Sequence, residues 1–240
     1  MKGIAFAVLL AASLAATPAA AIDITDCCDW STGWAFSAYS VGSASATATV
    51  EPSGGNPGAR LNVTTVTPSF SDTAFATAVL TTTTIPAPPS GSPFTLSIDA
   101  LSGAGGFGQG QGIQLLVQQG GAVYAASLGI TGFPLNAFTT LTFTGTLDPA
   151  DFSRVLGSGP AQPVFDGSTP TQFGFAAGNN ASATLTQYYD NFRLTVTAGT
   201  GGGGQVATTT AIPTLSDASL AALACLVIGL ALVRAGRIRR

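Results

Sequence analysis

The sequence predicts an all-β domain, an antiparallel β-sandwich of the jelly-roll kind, over residues 22 to 198. Three observations carry that reading. Short runs alternate apolar and polar residues with a period of two, as in Phe94-Thr95-Leu96-Ser97-Ile98-Asp99, which is the signature of a strand with one face buried and one in water. Turn-forming clusters separate the runs at short intervals, among them SGGNPGA at 53–59, PAPPSGSP at 86–93, QGGA at 119–122 and GNN at 178–180. No long amphipathic helical pattern lies between them, which leaves sheet packed on sheet as the architecture.

About ten strands follow in order. Ala35 to Ser40, Ala44 to Val50, Arg60 to Val66 and Thr73 to Thr83 are β-branched or alternating runs, and 94–99 is the clearest of all. Ile113 to Gln118 and Ala122 to Ile130 are further runs, separated by the QGGA turn signal. Leu141-Thr142-Phe143-Thr144, Gln172 to Ala177 and Phe192-Arg193-Leu194-Thr195-Val196-Thr197 complete the set. One helical turn is expected at 147–152, where Asp148 can cap a helix with Pro149 at its first position.

Only 8% of the 240 residues are charged, so solubility has to come from Thr, Ser, Asn, Gln and backbone. Between residues 22 and 198 three Arg stand against ten acids. That balance excludes a nucleic-acid partner, because phosphate contacts need clustered Lys and Arg. Four of the eight basic residues, Arg234, Arg237, Arg239 and Arg240, crowd into the last seven positions.

The two ends read as addresses. Lys2, the apolar stretch from Ile4 to Ala16 and Ala19-Ala20-Ala21 are the three regions of a secretory signal peptide, residues 1–21, which implies a Sec-type export machinery and forms a signal helix. Ala218 to Val233 is uncharged and mostly apolar, and counting from Ile212 gives 22 residues, enough for a transmembrane helix. The arginines after it fit a stop-transfer anchor with its C-terminus in the cytoplasm. GTGGGGQVATTTA, residues 199–211, reads as a flexible linker between domain and membrane.

Ile212-Pro213-Thr214-Leu215-Ser216, the apolar run and the Arg cluster resemble the IPTL-type C-terminal sorting domain of Gram-negative bacteria, over residues 212–240. Asp217 keeps the acid of that pattern, while Ala218 and Ser219 stand where it has Trp and Gly. The resemblance implies an exosortase-family processing enzyme as partner. It also implies an inner-membrane tether with the domain in the periplasm, then at the cell surface or outside after processing. The stretches DWSTGWAFSAYS, GGNPGARLNVTT and YYDNFRLTV are similar to bacterial jelly-roll domains of the carbohydrate-binding and concanavalin-like kinds. That similarity implies a polysaccharide as ligand, and one structural Ca²⁺ joining the first and last strands, with Asp190 and Asp29 (or Asp26) as ligands.

Catalytic and cofactor motifs are sparse. The absence of His excludes a Ser-His-Asp or Cys-His site and leaves zinc or iron without a ligand set. Gly103 to Gly108 matches G-x-G-x-x-G, but a strand follows it where a dinucleotide site needs a helix and an acid about 20 residues on. Five scattered Asp residues lack the Glu-rich strand motifs of jelly-roll glycosidases, so no enzyme activity is expected. Cys27 and Cys28 are adjacent, which leaves a vicinal disulfide, an interchain link and free thiols open. Trp30, Trp34, Tyr39, Tyr124, Tyr188 and Tyr189 are the aromatics able to stack on a sugar ring, with Trp30, Trp34 and Tyr189 the leading candidates. Tyr188 and Tyr189 point to opposite faces of their strand.

The expected function is therefore an exported, surface-anchored or exosortase-processed non-catalytic protein, structural or adhesive in the envelope or extracellular matrix. The alternative is a surface-displayed carbohydrate-binding module, which requires an exposed aromatic platform or a groove with several polar side chains.

Overall fold

A computed structural model describes residues 21–26, 29–103, 112–130 and 137–197. The signal peptide, the Cys27-Cys28 pair, the Gly-rich loop, the linker and the sorting tail lie outside the described residues. So do the signal and transmembrane helices expected there; among the described residues no helix is long and apolar enough to cross a membrane.

The described chain forms β1 (Ile22–Asp26), β2 (Trp34–Val41), β3 (Ser45–Gly55), β4 (Gly58–Thr67), β5 (Thr73–Leu80), β6 (Ile85–Pro86) and β7 (Pro93–Ser102). After these come β8 (Gly112–Gln119), β9 (Ala122–Ile130), β10 (Thr139–Thr146), β11 (Ser153–Leu156), β12 (Pro170–Asn179) and β13 (Ala183–Val196). All pairings are antiparallel. One sheet runs β10-β7-β13-β4-β3 with β1 added to β13; the other runs β11-β9-β8-β12-β5-β2 with β6 added to β12. The chain crosses between the sheets after β1, β2, β4, β6, β7, β9, β10 and β12, as a jelly roll requires.

One core fills the space between the sheets. Leu96 and Ile98 of β7, Leu194 and Val196 of β13, Leu115 and Val117 of β8, and Phe173 and Phe175 of β12 are all buried in it. In β7 and β13 these residues alternate with outward-facing Ser and Thr, so the period-two pattern marks the inner face there. In β8 the outward Leu116 is buried in a second, smaller apolar cluster with Val79, Val123, Ala125 and Ala176. At its centre Phe175 meets Trp30, Trp34, Tyr189 and Phe192, with ring centroids 5.3–6.5 Å apart.

The expected strands are present, with three additions. β1, β6 and β11 were not expected, and β13 is a 14-residue strand of which only the second half was expected. β5 stops at Leu80 rather than Thr83. The expected helical turn is a 3-10 turn, Pro149–Asp151, with Asp148 Oδ1 accepting from Ala150 N at 3.0 Å.

β13 changes parity part-way. Leu185, Gln187 and Tyr189 face the core at odd positions, but Phe192, Leu194 and Val196 face it at even ones. The switch is a bulge against β7 between Asp190 and Arg193, where Asn191 adopts φ +51°. Asn is among the few side chains that tolerate this left-handed conformation. At the same level β4 ends its pairing at Tyr189, and β1 takes its place from Phe192 onward.

Phe175→Ala removes the ring at the centre of this aromatic cluster. It is expected to cost about 3–5 kcal/mol, as large core truncations do, measured by urea unfolding against the wild type.

Candidate functional site

Two of the three aromatics expected to meet a sugar are core residues. Trp30 is 2% exposed and packs its ring 4.7 Å from that of Trp34, while Tyr189 is fully buried against Phe175. Trp34 is only partly buried, but its ring stands edge-on to Phe192 at 5.4 Å in the same cluster. The aromatic platform read from the sequence is thus corrected to the central packing of the domain. The reason is parity: Trp34 and Tyr189 sit on inward positions of β2 and β13. Tyr188 is the outward member of its pair, and the Arg60 guanidinium lies 3.6 Å from its ring centroid.

The carboxylates do not form the expected calcium pair either. Asp29 is an exposed turn residue whose oxygens accept from Ser31 N at 2.8 Å, from the Ser31 hydroxyl and from Thr32 Oγ1 at 3.0 Å. These bonds, that to the Ser31 hydroxyl first, hold its pKa below the usual carboxylate value. Asp190 is fully buried and stands opposite Asp99 in the β13–β7 register. The tip of the β3–β4 hairpin, with its cis Asn56–Pro57 bond, closes over both. Asp190 Oδ2 accepts from Asn56 N, and its Oδ1 from Asn191 N at 2.8 Å. Asp99 Oδ1 accepts from Thr140 Oγ1 at 2.5 Å. Its Oδ2 accepts from Asn56 Nδ2 at 3.1 Å and Asn191 Nδ2 at 2.8 Å. Every oxygen of the pair is therefore engaged by a donor. Calcium needs six to eight oxygen ligands, and here two carboxylates face N–H and O–H groups. Among the described residues no group of three His, Cys, Asp or Glu side chains could hold a metal. The described side chains do not fit the ion; the side chain of Asp26, the alternative partner, which pairs at Phe192, lies outside them.

A larger concavity lies elsewhere, between two strand edges that have no strand partner there among the described residues. β10 is the last strand of its sheet, and β11 covers β9 only as far as Ala125. Between β10 and the open part of β9 runs a groove of about 740 Å³. Thr142, Thr144 and Thr146 of β10, Ser127 of β9 and Asp151 of the 3-10 turn line it with hydroxyls and one carboxylate. Phe143 and Leu128 supply its accessible apolar surface, over Phe94 and Phe152, which are buried at 7% and 2% exposure. Phe94 reaches it because Gly145, its cross-strand partner, has no side chain; a Cβ there would meet the ring at 2.9 Å. The groove thus combines aromatic surface with several hydrogen-bonding groups of neutral character. Sequence reasoning found Phe94 and the Thr142–Phe143–Thr144 strand but had no means of knowing that this strand was an edge.

A smaller depression of about 170 Å³ lies on the outer face of the other sheet, beside Phe75, Gln114 and Asn180. Tyr39 stacks on Phe75 at 5.3 Å with 10° between the rings, and its hydroxyl donates to Gln114 Oε1. Burial pushes the Tyr39 phenol up to about 12.

The fold and groove define an antiparallel β-sandwich of jelly-roll topology with an open side groove. The sequence matches no protein-family model and no curated protein. Among solved structures it is similar to a family 11 carbohydrate-binding module from Clostridium thermocellum in complex with a β-1,3-1,4-mixed-linked tetrasaccharide: 14% identity, 72% of this chain and 94% of that chain, TM-score 0.42. It is also similar to the family 11 module of a cellulosomal cellulase of the same organism: 14%, 71% and 93%, TM-score 0.41. A third is the CBM22-1 xylan-binding domain from Paenibacillus barcinonensis: 9%, 77% and 99%, TM-score 0.39. The likeness is distant, and it assigns none of those ligands to this chain.

Tyr39 offers a test of the outer face. Its folded pKa exceeds the unfolded value of about 10, so the folded state holds the proton more tightly. That stabilisation is complete below pH 10 and is lost as pH rises toward 12. In Tyr39→Phe the fall of the urea midpoint between pH 10 and 12 is expected to be shallower than in the wild type. Absorbance at alkaline pH should lose the phenol that ionises near 12.

Proposed function

We propose that this chain is an exported, non-catalytic polysaccharide-binding domain, with the groove between β9 and β10 as its glycan site. The observation that carries the reading is the groove's lining: Ser127, Thr142, Thr144 and Thr146 around Phe143, Phe94 and Phe152. Sugar rings present apolar C–H faces and a rim of hydroxyls, so a groove of this mixed character suits them better than a purely apolar or charged one. A groove with several polar side chains is also the feature that separates the binding reading from a purely structural or adhesive role. Asp99 and Asp190 do not line it, and Asp151 is the single carboxylate that does, so the pair needed to cleave a glycosidic bond is lacking among the groove's described residues.

The address is part of the proposal and rests on the sequence motifs. Residues 1–21 direct export. Ile212 to Ser216, the apolar run and Arg234, Arg237, Arg239 and Arg240 would anchor the chain until a processing enzyme acts near Leu215. The domain would then display its groove at the envelope or in the matrix outside the cell. Mass spectrometry of the surface protein tests this part; an intact Arg240 in a strain carrying the enzyme makes the tail an ordinary anchor.

Binding itself is tested on a glycan array with the exported protein, followed by calorimetry on any hit. Phe143→Ala and Thr144→Val are each expected to weaken binding about tenfold or more, roughly 1.4 kcal/mol, with thermal unfolding still cooperative. A silent array, or a hit that neither substitution weakens, rules out the groove.

A further inference from the structure

Two aspartates with almost no solvent contact face one another across β13 and β7, and no basic side chain accompanies them. Asp190 is fully buried and Asp99 is 6% exposed, and the ion pairs of the described residues, Arg60–Glu51 and Arg193–Asp23, lie elsewhere. A buried carboxylate without compensation is costly, and two side by side are costlier still. The usual remedies are a cation or a full set of hydrogen-bond donors.

We infer that the tip of the β3–β4 hairpin stands in for a cation at this site, so that the domain closes its seam without metal. The donors converge from three directions. Asn56 gives its backbone N–H to Asp190 and its side-chain amide to Asp99. Asn191, in the bulge, gives its backbone N–H to Asp190 Oδ1 and its amide to Asp99 Oδ2. The same Asn191 amide also donates to the Asn56 carbonyl, tying hairpin to bulge directly. Thr140 of β10 completes the set on Asp99 Oδ1. Five donors thus serve four oxygens, and the two backbone N–H groups are donors in any orientation of the side chains. Hydrogen bonds to charged acceptors are stronger than neutral ones, so the set can hold both carboxylates in place.

The hairpin tip is also placed too closely for a ligand shell. A Cβ on Gly55 would lie 2.6 Å from Asp190 Oδ2, so the backbone itself abuts the carboxylate. An ion would have to displace the Asn56 N–H and so open the hairpin from the bulge. The clasp joins β10, β7, β13 and the β3–β4 hairpin at the level where β4 gives way to β1. Its integrity would therefore be insensitive to calcium in the medium outside the cell.

The test is thermal unfolding of the full-length chain in mild detergent, in EDTA and in excess CaCl₂. The wild type is expected to melt at the same temperature in both. An ion present at a hundred times its dissociation constant would raise the Tm of a protein this size by roughly 5–10 °C. A rise of that kind, or Tb³⁺ luminescence saturating at one ion per chain, overturns the inference. Asn56→Asp exchanges one amide donor for a third carboxylate and is expected to lower the Tm in EDTA by several degrees. An unchanged or higher Tm for that variant in EDTA would also overturn it, since the amide would then not be holding Asp99. If the variant fails to fold, the wild-type comparison decides alone.

Discussion

The bulge at Asp190–Asn191 is the constraint on which the rest of the sandwich depends. A strand with strict alternation could bury either Tyr189 or Phe192 but not both, since they differ by three positions. One extra residue, Asn191 at φ +51°, turns the second half of β13 over and puts Phe192, Leu194 and Val196 on the same side as Leu185 and Tyr189. The aromatic cluster around Phe175 then has a ring from each half of the strand. At the bulge the Asp190 carboxylate accepts the Asn191 backbone N–H, and the hairpin tip adds the Asn56 N–H to that carboxylate and accepts the Asn191 amide on its Asn56 carbonyl. A local break in one ladder thus fixes where β4 ends, where β1 begins and which residues make the core.

Much of the fold was legible from residue order because period two is a direct consequence of one buried face. The runs at 94–99 and 192–197 needed no other information. Tertiary context decided the rest. β1 is too short to stand out and gains its place only by pairing with the end of β13. The first half of β13, Ala183 to Gln187, has Leu185 as its single large apolar residue, and its core-facing Gln187 carries an amide oxygen that accepts from Tyr189 OH at 2.9 Å. The aromatics were misplaced for a related reason. Composition shows that Trp and Tyr are present, but only the register across the bulge shows that Tyr189 faces in and Tyr188 out. Asp190 stood out in the sequence, whereas Asp99, 91 residues away by position, becomes its partner only through the β13–β7 register. The groove was invisible for the same reason: a strand is an edge only in relation to its neighbours.

Sparse charge is resolved on the outer faces. In the sheet containing β13, one cross-strand row reads Thr144, Thr95, Thr195 and another Thr186, Thr64, Thr47. Thr64 and Thr186 hydroxyls lie 3.3 Å apart, so the row hydrogen-bonds within itself as well as to water. Threonine suits this face twice over, with a branched side chain that packs on the pleat and a hydroxyl that keeps it wetted. The few charges are used at joints instead. Arg193 and Asp23 tie β13 to β1 at 2.6 Å, and Arg60 and Glu51 tie β4 to β3 at 2.6 Å just before the hairpin tip. Hydrogen bonds from Asn62 and Arg60 hold the Glu51 pKa below its ordinary value.

The proposed glycan site follows the same economy of charge. An open edge strand exposes unpaired backbone groups and invites another chain to pair with it, and proteins usually discourage this with charge, proline or a bulge. β10 carries none of these along 139–146; its protection comes from threonines on the outer face and from a floor only partly filled by Phe143 and Leu141. An edge of this kind stays uncommitted only if something hydrophilic occupies or wets it. Hydroxyls at Thr142, Thr144, Thr146 and Ser127 do so without fixing a sign of charge, while Phe94, Phe143 and Phe152 leave an apolar surface beneath. A neutral ligand with apolar faces and hydroxyl edges meets both halves of that surface, and a strongly charged one meets only Asp151. On the proposed reading the wetted edge and the glycan site are one solution, because the threonines that wet the β10 edge are the ones that line the groove.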